Sequence, residues 1–444
     1  MNPSALRCQL IDFIGDPTHT SAALRHERDG GIVIEGGSIV AAGPWSEVAA
    51  TLAAGTRVID ARDKIAAPGF IDTHIHLPQV DVIASPAPGL LPWLERYTFP
   101  TEAGFSDPAV CAETAGFFLD ELACNGTTSA SVFGTVHAGS VEALFGAALE
   151  RDVRLIAGKC LMDVHCPANL RDTAWGGVED SARLADRWHG RGRLAYAITP
   201  RFAATSSREQ LAAAGQLARA RPELYVQSHV AENTDEIRWI AELFPEARSY
   251  LDVYDRAGLL NARSIYAHCL WLDPADRARM AATGAIAAVS PTSNLFLGSG
   301  LFDFERSLAA GMKITLATDV GGGQSFSMFS AMRAAHEVAR LRGCALTAAQ
   351  LWYWASTGAA ESLGWQGRVG RIAAGFEADF VLLDPRATPL LARRSAIVES
   401  VDELLFVLMI LGDDRTVSET YIAGRAAKTR LNETKARVEL RSNG

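Results

Sequence analysis

The chain is short of most features that would announce a function class. Its seven cysteines, Cys8, Cys111, Cys124, Cys160, Cys166, Cys269 and Cys344, are scattered, odd in number and never spaced as C-x-x-C. That argues against a disulfide framework and a structural zinc knuckle, and fits reduced thiols in a cytoplasmic setting. No apolar run reaches the roughly 18 residues that would span a bilayer. The amino-terminal stretch lacks a basic region followed by a long apolar core, so no signal peptide is expected. Basic residues are in deficit, 42 Lys and Arg against 51 Asp and Glu, for a formal net charge of −9. This deficit argues against a nucleic-acid partner held through its phosphates and leaves a small neutral substrate open. Gly-x-Ser-x-Gly, the nucleophile elbow, is absent. Gly321-Gly322-Gly323 is not followed by Gly-Lys-Ser/Thr, so it is not a phosphate loop; it reads as backbone passing close to a site. What remains is ordinary globular material: 444 residues, 48% hydrophobic and 21% charged, enough for one large α/β barrel and a smaller domain.

The most informative stretch is Pro68–His76, Pro-Gly-Phe-Ile-Asp-Thr-His-Ile-His. On a strand, His74 and His76 point to one face with Cα atoms about 6.5 Å apart. Imidazoles at that separation can converge on one divalent ion, and neutral imidazole suits Zn²⁺ or Fe²⁺. Taken alone, such a pair also reads as two hydrogen-bonded strand histidines. Three further β-prone runs end in polar groups: Leu224 to His229, followed by Glu232; Ser264 to His268; and Met312 to Asp319. Each could stand alone as a satisfied core histidine or a helix N-cap. Their shared polarity is the stronger signal. All carry the polar group at the carboxyl end of a strand, where the active sites of parallel barrels lie.

Candidate strands at Phe70–His76, Thr127–Phe133, Arg154–Cys160, Leu194–Thr199, Leu224–His229, Ser264–His268, Ala285–Val289 and Lys313–Thr318 alternate with helical stretches such as Pro108–Leu122, Val141–Glu150, Ser207–Ala220, Pro274–Thr283 and Phe326–Leu341. Eight strands with helices between them predict a (β/α)₈ TIM-type barrel over residues 68–369. A further helix is expected at Thr347–Ser362. Residues 1–67 and 370–444 read as β structure and are expected to pair into one small composite β-sandwich.

Pro68–His76, His229-Val-Ala-Glu232, His268, Asp319 and the closing Gly370–Asp379 segment together resemble the amidohydrolase superfamily. Tyr97–Glu102, Thr199-Pro-Arg-Phe202, Gln227-Ser-His229, Pro291–Gly300 and Thr318–Gly323 resemble its guanine deaminase branch. The other zinc deaminase design, His-x-Glu with Pro-Cys-x-x-Cys, does not fit. The resemblance implies one divalent ion, Zn²⁺ with Fe²⁺ as the alternative, held by His74, His76, His229 and Asp319. Dinuclear relatives use a carboxylated lysine at the end of strand four. Here that strand ends in Thr199-Pro200-Arg201, while Lys159 ends the strand before it.

The resemblance also implies roles. His268 orients the attacking water, Asp319 takes a proton from it, and Glu232 carries a proton to a ring nitrogen of the substrate. Gln79 and Arg201 hydrogen-bond the purine and Phe202 stacks on it, with His229 and Glu232 also against the substrate. The implied activity is hydrolytic deamination of guanine to xanthine by a cytoplasmic homodimer. Three positions depart from the branch: Ser290 and Ser206, where cysteine is frequent, and Cys269, where glycine is frequent. A hydrolase of another aminated heterocycle (a pterin, cytosine or a triazine) would share the metal and proton groups and differ at Gln79, Arg201 and Phe202. A non-catalytic scaffold on the same fold would be expected to lose the ligands that this chain keeps.

Overall fold

The structure is a computed structural model and describes residues 4–428 and residue 431; the outermost parts of both terminal segments lie outside the described residues. Strands β1 (Ser4–Phe13), β2 (Leu24–Glu35), β3 (Ser38–Pro44) and β4 (Arg57–Pro68) open the chain. The barrel strands follow: β5 (Phe70–His76), β6 (Thr127–Phe133), β7 (Arg154–Gly158), β8 (Cys160–Leu161), β9 (Leu194–Pro200), β10 (Tyr225–Val230), β11 (Ser264–His268), β12 (Ile286–Val289) and β13 (Lys313–Leu316). Strands β14 (Phe380–Leu383), β15 (Val417–Ile422) and β16 (Arg425–Ala426) close the described chain.

The two ends of the chain meet in one seven-stranded sheet of order β16-β15-β14-β4-β1-β2-β3. The sandwich expected from the termini thus takes the form of a single connected sheet. Leu6, Cys8, Leu10, Ile32, Ala66, Phe380 and Leu382 form one apolar cluster on it. β4 crosses directly into the barrel at Gly69, where an added Cβ would lie 2.3 Å from Thr128 Oγ1. Only glycine lets the chain pass there.

The barrel strands run parallel in the order β13-β12-β11-β10-β9-β7-β6-β5, with the two-residue β8 pairing β9. Strands such as β5, β6 and β12 are buried along their whole length, as expected when helices cover the outside and side chains fill the inside. Between Gly158 and Cys160 the third expected strand breaks at Lys159. The buried Lys159 Nζ instead reaches the partly exposed Asp172 at 2.6 Å. The expected helix at Thr347–Ser362 is two helices, Ala348–Trp354 and Thr357–Ser362, because Ser356 takes φ −146° and ψ −97°. A helix at Val401–Leu411, inside the segment expected to be β, packs on the barrel's helices; Trp352 Nε1 donates to Leu405 O at 3.1 Å. Its run of apolar residues has no strand alternation, and length decides between helix and strand in such runs. Among the described residues no helix is long and apolar enough to cross a membrane.

Two features set up the site. The floor of the barrel is filled by Ile71, Ile156, Ala197, Tyr225, Ile265, Ile286, Ala288 and Ala317, capped from below by Ala359, Leu363 and Trp365. On β5 the register against β6 then slips between Asp72 and Ile75. The bulge shifts the inward parity of the strand, so His74 and His76 face the barrel mouth although Ile71 lies on the floor.

Candidate active site

Closure of the barrel and construction of the site are the same event. β5 and β13 stand at opposite ends of the sheet order and are joined by contacts around the ligand residues. Asp319 N–H donates to His74 O at 3.0 Å. Thr73 Oγ1 lies 2.8 Å from Thr315 Oγ1. The fully buried Asp72 carboxylate accepts the His74 N–H at 3.3 Å, the Thr318 N–H at 3.1 Å and the Thr318 hydroxyl. Burial pushes Asp72 up to about 6, against these three donors. One carboxylate therefore holds the backbone of His74 and the residue before Asp319.

His74, His76, His229 and Asp319 each offer a ligand atom, and the four atoms lie within 4.8 Å of one another. His76 Nε2 is 3.1 Å from His229 Nε2 and 3.3 Å from Asp319 Oδ1; His74 Nε2 is 3.1 Å from the same oxygen. A carbonyl can only accept, so the 2.6 Å contact of His229 Nδ1 with Arg201 O places the proton on Nδ1 and leaves the Nε2 lone pair facing the cluster. His74 Nε2 is buried and has no hydrogen-bond partner. Burial, reinforced by neighbouring imidazoles, holds His229 well below the usual histidine range, and burial takes His76 down to about 3. Burial opposes ionisation of Asp319, but the histidines outweigh it and hold its carboxyl well below the usual range. Three converging imidazoles and one carboxylate are a fitting donor set for a divalent ion.

His268 sits beside this cluster and outside it. Its Nδ1 donates to Asn294 Oδ1 at 2.8 Å, which turns Nε2 toward Glu232 Oε2 at 3.3 Å and Asp319 Oδ2 at 3.9 Å. Glu232 accepts a hydrogen bond from Ser299 Oγ at 3.1 Å and is otherwise walled in. Burial and the Asp319 charge raise its affinity for a proton; Ser299 and Arg201 oppose them. Four non-glycine residues at the mouth hold left-handed backbone: Ala231 (φ 50°), His268 (70°), Cys269 (55°) and Asp319 (53°). Such angles cost energy and gather where the fold over-determines a functional geometry. At 269 a glycine would carry that angle without strain, which is the physical content of the departure noted in the sequence.

The pocket above the cluster is lined by Gln79, Trp93, Arg201, Phe202, Leu297 and Gly322 among others. Arg201 is buried, and its Nη1 contacts both oxygens of buried Glu102 at 2.5 and 2.7 Å. Burial alone would weaken its hold on its proton; Glu102 more than compensates. Gln79 Nε2 reaches the same carboxylate at 3.5 Å. Gln79 is pressed against the glycine loop, where a Cβ on Gly321 (φ 119°) would meet Gln79 Oε1 at 2.1 Å. Phe202 stands on the pocket wall, edge-on to Trp239 at 6.1 Å.

Of the site residues named from the sequence, Gln79, His76, Arg201, Phe202, His229, Glu232, His268 and Asp319 line one pocket, and His74 lies behind it in the ligand cluster. The structure adds four that were not named as site residues. Glu102 holds Arg201 and Asn294 fixes the His268 tautomer; both lie in stretches already singled out. Glu236 follows Glu232 by one turn and carries the N-x-x-E capping signature with Asn233. Asp72 was visible only as part of a strand, since its partner lies 246 residues away.

The description "Amidohydrolase family" fits residues 65–427. A guanine deaminase from Escherichia coli is 43% identical over 424 residues, covering 95% of this chain and 97% of that protein. The solved structure of E. coli guanine deaminase superposes with a TM-score of 0.92 at 41% identity, covering 96% of this chain and 99% of the other. A guanine deaminase from C. acetobutylicum with guanine bound in its active site gives a TM-score of 0.85 at 27% identity, covering 96% and 100%. With the ligand cluster, the barrel and these relatives in register over nearly the whole chain, the protein belongs to the amidohydrolase family, in its guanine deaminase branch.

Proposed function

We propose that the chain converts guanine and water to xanthine and ammonia at a single divalent ion held by His74, His76, His229 and Asp319. The observation that carries this reading is the meeting of two sets of groups: the four-donor cluster and, beside it, a pocket wall of Gln79, Arg201 and Phe202. Guanine deaminase relatives over the full chain support it. The ion, Zn²⁺ or Fe²⁺, would supply Lewis-acid activation of water and of the developing charge.

The chain's own groups do the rest. His268, its Nδ1 proton committed to Asn294, presents a lone pair that accepts a hydrogen bond from the attacking water. Glu232 moves one proton of that water to a ring nitrogen, making C2 of guanine electrophilic, and the water oxygen bonds to C2. Asp319 takes the second water proton and returns it to the exocyclic nitrogen; the bond from C2 to that nitrogen breaks and ammonia leaves. Arg201, held rigid by Glu102, donates its planar fork to the O6 side. Gln79 binds a second edge and Phe202 covers a ring face. A single ion is favoured because Lys159, the one lysine near enough in sequence to bridge a second, is committed to Asp172. The division into a composite sheet domain (1–67 with 370–444) and a barrel (68–369) belongs to the same proposal, supported by the shared seven-stranded sheet. So do homodimeric assembly and a cytoplasmic setting, which rest on the family resemblance.

The test is ammonia release from guanine, pterins, cytosine and triazines, run beside metal analysis. Guanine as the preferred substrate with about one ion per chain is expected. Preference for another heterocycle would overturn the substrate, and two ions with a carboxylated Lys159 would overturn the metal count.

A further inference from the structure

Glu236 is a fully buried acid that the reaction scheme leaves unused. It lines the same pocket as Glu232. Its Oε2 accepts the backbone N–H of Glu232 at 3.0 Å and of Asn233 at 3.2 Å, and its Oε1 accepts the Tyr250 hydroxyl at 2.8 Å. The bond to Asn233 belongs to an ordinary capping box. The bond to Glu232 does not: it reaches one residue further out and grips the peptide unit between Glu232 and the strained Ala231 (φ 50°). Three donors on one carboxylate favour its charged form. A buried carboxylate is costly unless so satisfied, and a charge on Glu232 works against a second charge on Glu236.

We propose that Glu236 is a positioning residue for Glu232: it clamps the backbone that carries the proton shuttle and sets a second acid beside it. The inference rests on the proposed role of Glu232 and deepens it. Around the pair stand Arg201, His268, Asp319 and Tyr250, with the Ser299 hydroxyl on Glu232 itself. Among the described residues, the side chain that accepts the Glu232 backbone N–H is Glu236. Burial, and then the Glu232 charge, raise Glu236 while Tyr250 and the Asn233 N–H oppose them, so a charge on either acid disfavours one on the other.

Two substitutions separate the clamp from the charge. Glu236→Gln keeps an oxygen to accept the two N–H groups and loses the charge. Glu236→Ala loses both. With guanine as substrate and the metal-loaded full-length enzyme, kcat is expected to fall about 100-fold in Glu236→Ala and about 10-fold or less in Glu236→Gln, with KM and metal content unchanged in both. In Glu236→Gln the limb of the kcat–pH profile that belongs to Glu232 moves to lower pH, because a neighbouring negative charge no longer favours the protonated carboxyl. Unchanged kcat in Glu236→Ala, or an unmoved profile with equal losses in the two variants, would overturn the proposal. Should Glu236→Ala lower the unfolding midpoint, the Glu236→Gln profile alone decides it. Failure of the Glu232 reading is distinguishable, since it would show as near-normal turnover in Glu232→Gln whatever the Glu236 variants do.

Discussion

The floor and the mouth of the barrel are built on the same eight-strand frame and solve opposite problems. At the floor, Ile71, Ile156, Ile265 and Ile286 meet across the axis and are sealed by Leu363 and Trp365. Shape and apolar area are all that matter there. At the mouth, a few residues further along the same strands, the buried polar side chains of His74, His76 and Asp319 converge on one another. Acids crowd each other, and four non-glycine residues hold left-handed backbone. Crowded buried acids and left-handed backbone cost energy, which the floor and the helical shell offset. Stability and chemistry are thus separated along each strand, and substitutions at the two ends should move different observables.

The largest expected effect is at the mouth. Glu232→Gln preserves shape but cannot shuttle a proton, so kcat should fall about 10²–10⁴-fold. KM, metal content and the unfolding midpoint should stay near those of the parent. Loss of metal would make Glu232 a ligand and change the coordination set; retained turnover would pass the shuttle to Asp319 or His268.

Next comes the floor. Ile286→Ala removes a fully buried side chain and should cost about 2–5 kcal/mol of stability by denaturant unfolding. The kcat of the folded fraction should be unaffected. A drop in kcat without a drop in stability would show that the two ends of the barrel are not separable.

Arg201→Lys lies between these in kind. Lysine keeps the charge and loses the planar fork, leaving Glu102 and the substrate to compete for one ammonium. Guanine kcat/KM should fall by about 1.5–3 kcal/mol of transition-state binding. Unchanged guanine kinetics would take Arg201 out of substrate recognition.

The smallest effect is expected at Cys269→Gly. Relief of left-handed backbone is worth about 1–2 kcal/mol, and loss of a small side chain buried against Met280 costs about 1 kcal/mol. The unfolding free energy should shift by less than about 1 kcal/mol, the difference of those two terms. A loss well beyond that would mean packing, not backbone strain, governs the position.

The sequence made the floor and the ligands legible for a common reason. Short apolar runs ending in a polar group carry their own direction, and alternation along a strand tells which side chains share a face. Residues 70–76 showed both, and the boundaries at Phe70–His76, Thr127–Phe133 and Ser264–His268 match the observed strands. The helix at Val401–Leu411 was missed because it is apolar on nearly every side, which hides the helical period. Glu236 was hidden by its neighbour: a capping glutamate is so ordinary that its second bond, to Glu232, has no local signature.

By itself, then, the sequence determined that β and α segments alternate, that His74, His76, His229, His268 and Asp319 lie at one end of the strands, and that the outer strands at the two termini belong together. Tertiary structure decided the rest. The slip between Asp72 and Ile75 aims the two histidines. The Asp72 carboxylate ties β5 to a residue 246 positions away, and Glu102 fixes Arg201 across 99. Elements follow from periodicity within a short window, which any stretch of sequence contains. The site follows from contacts between residues that share no window, and those exist only once the barrel has closed on itself.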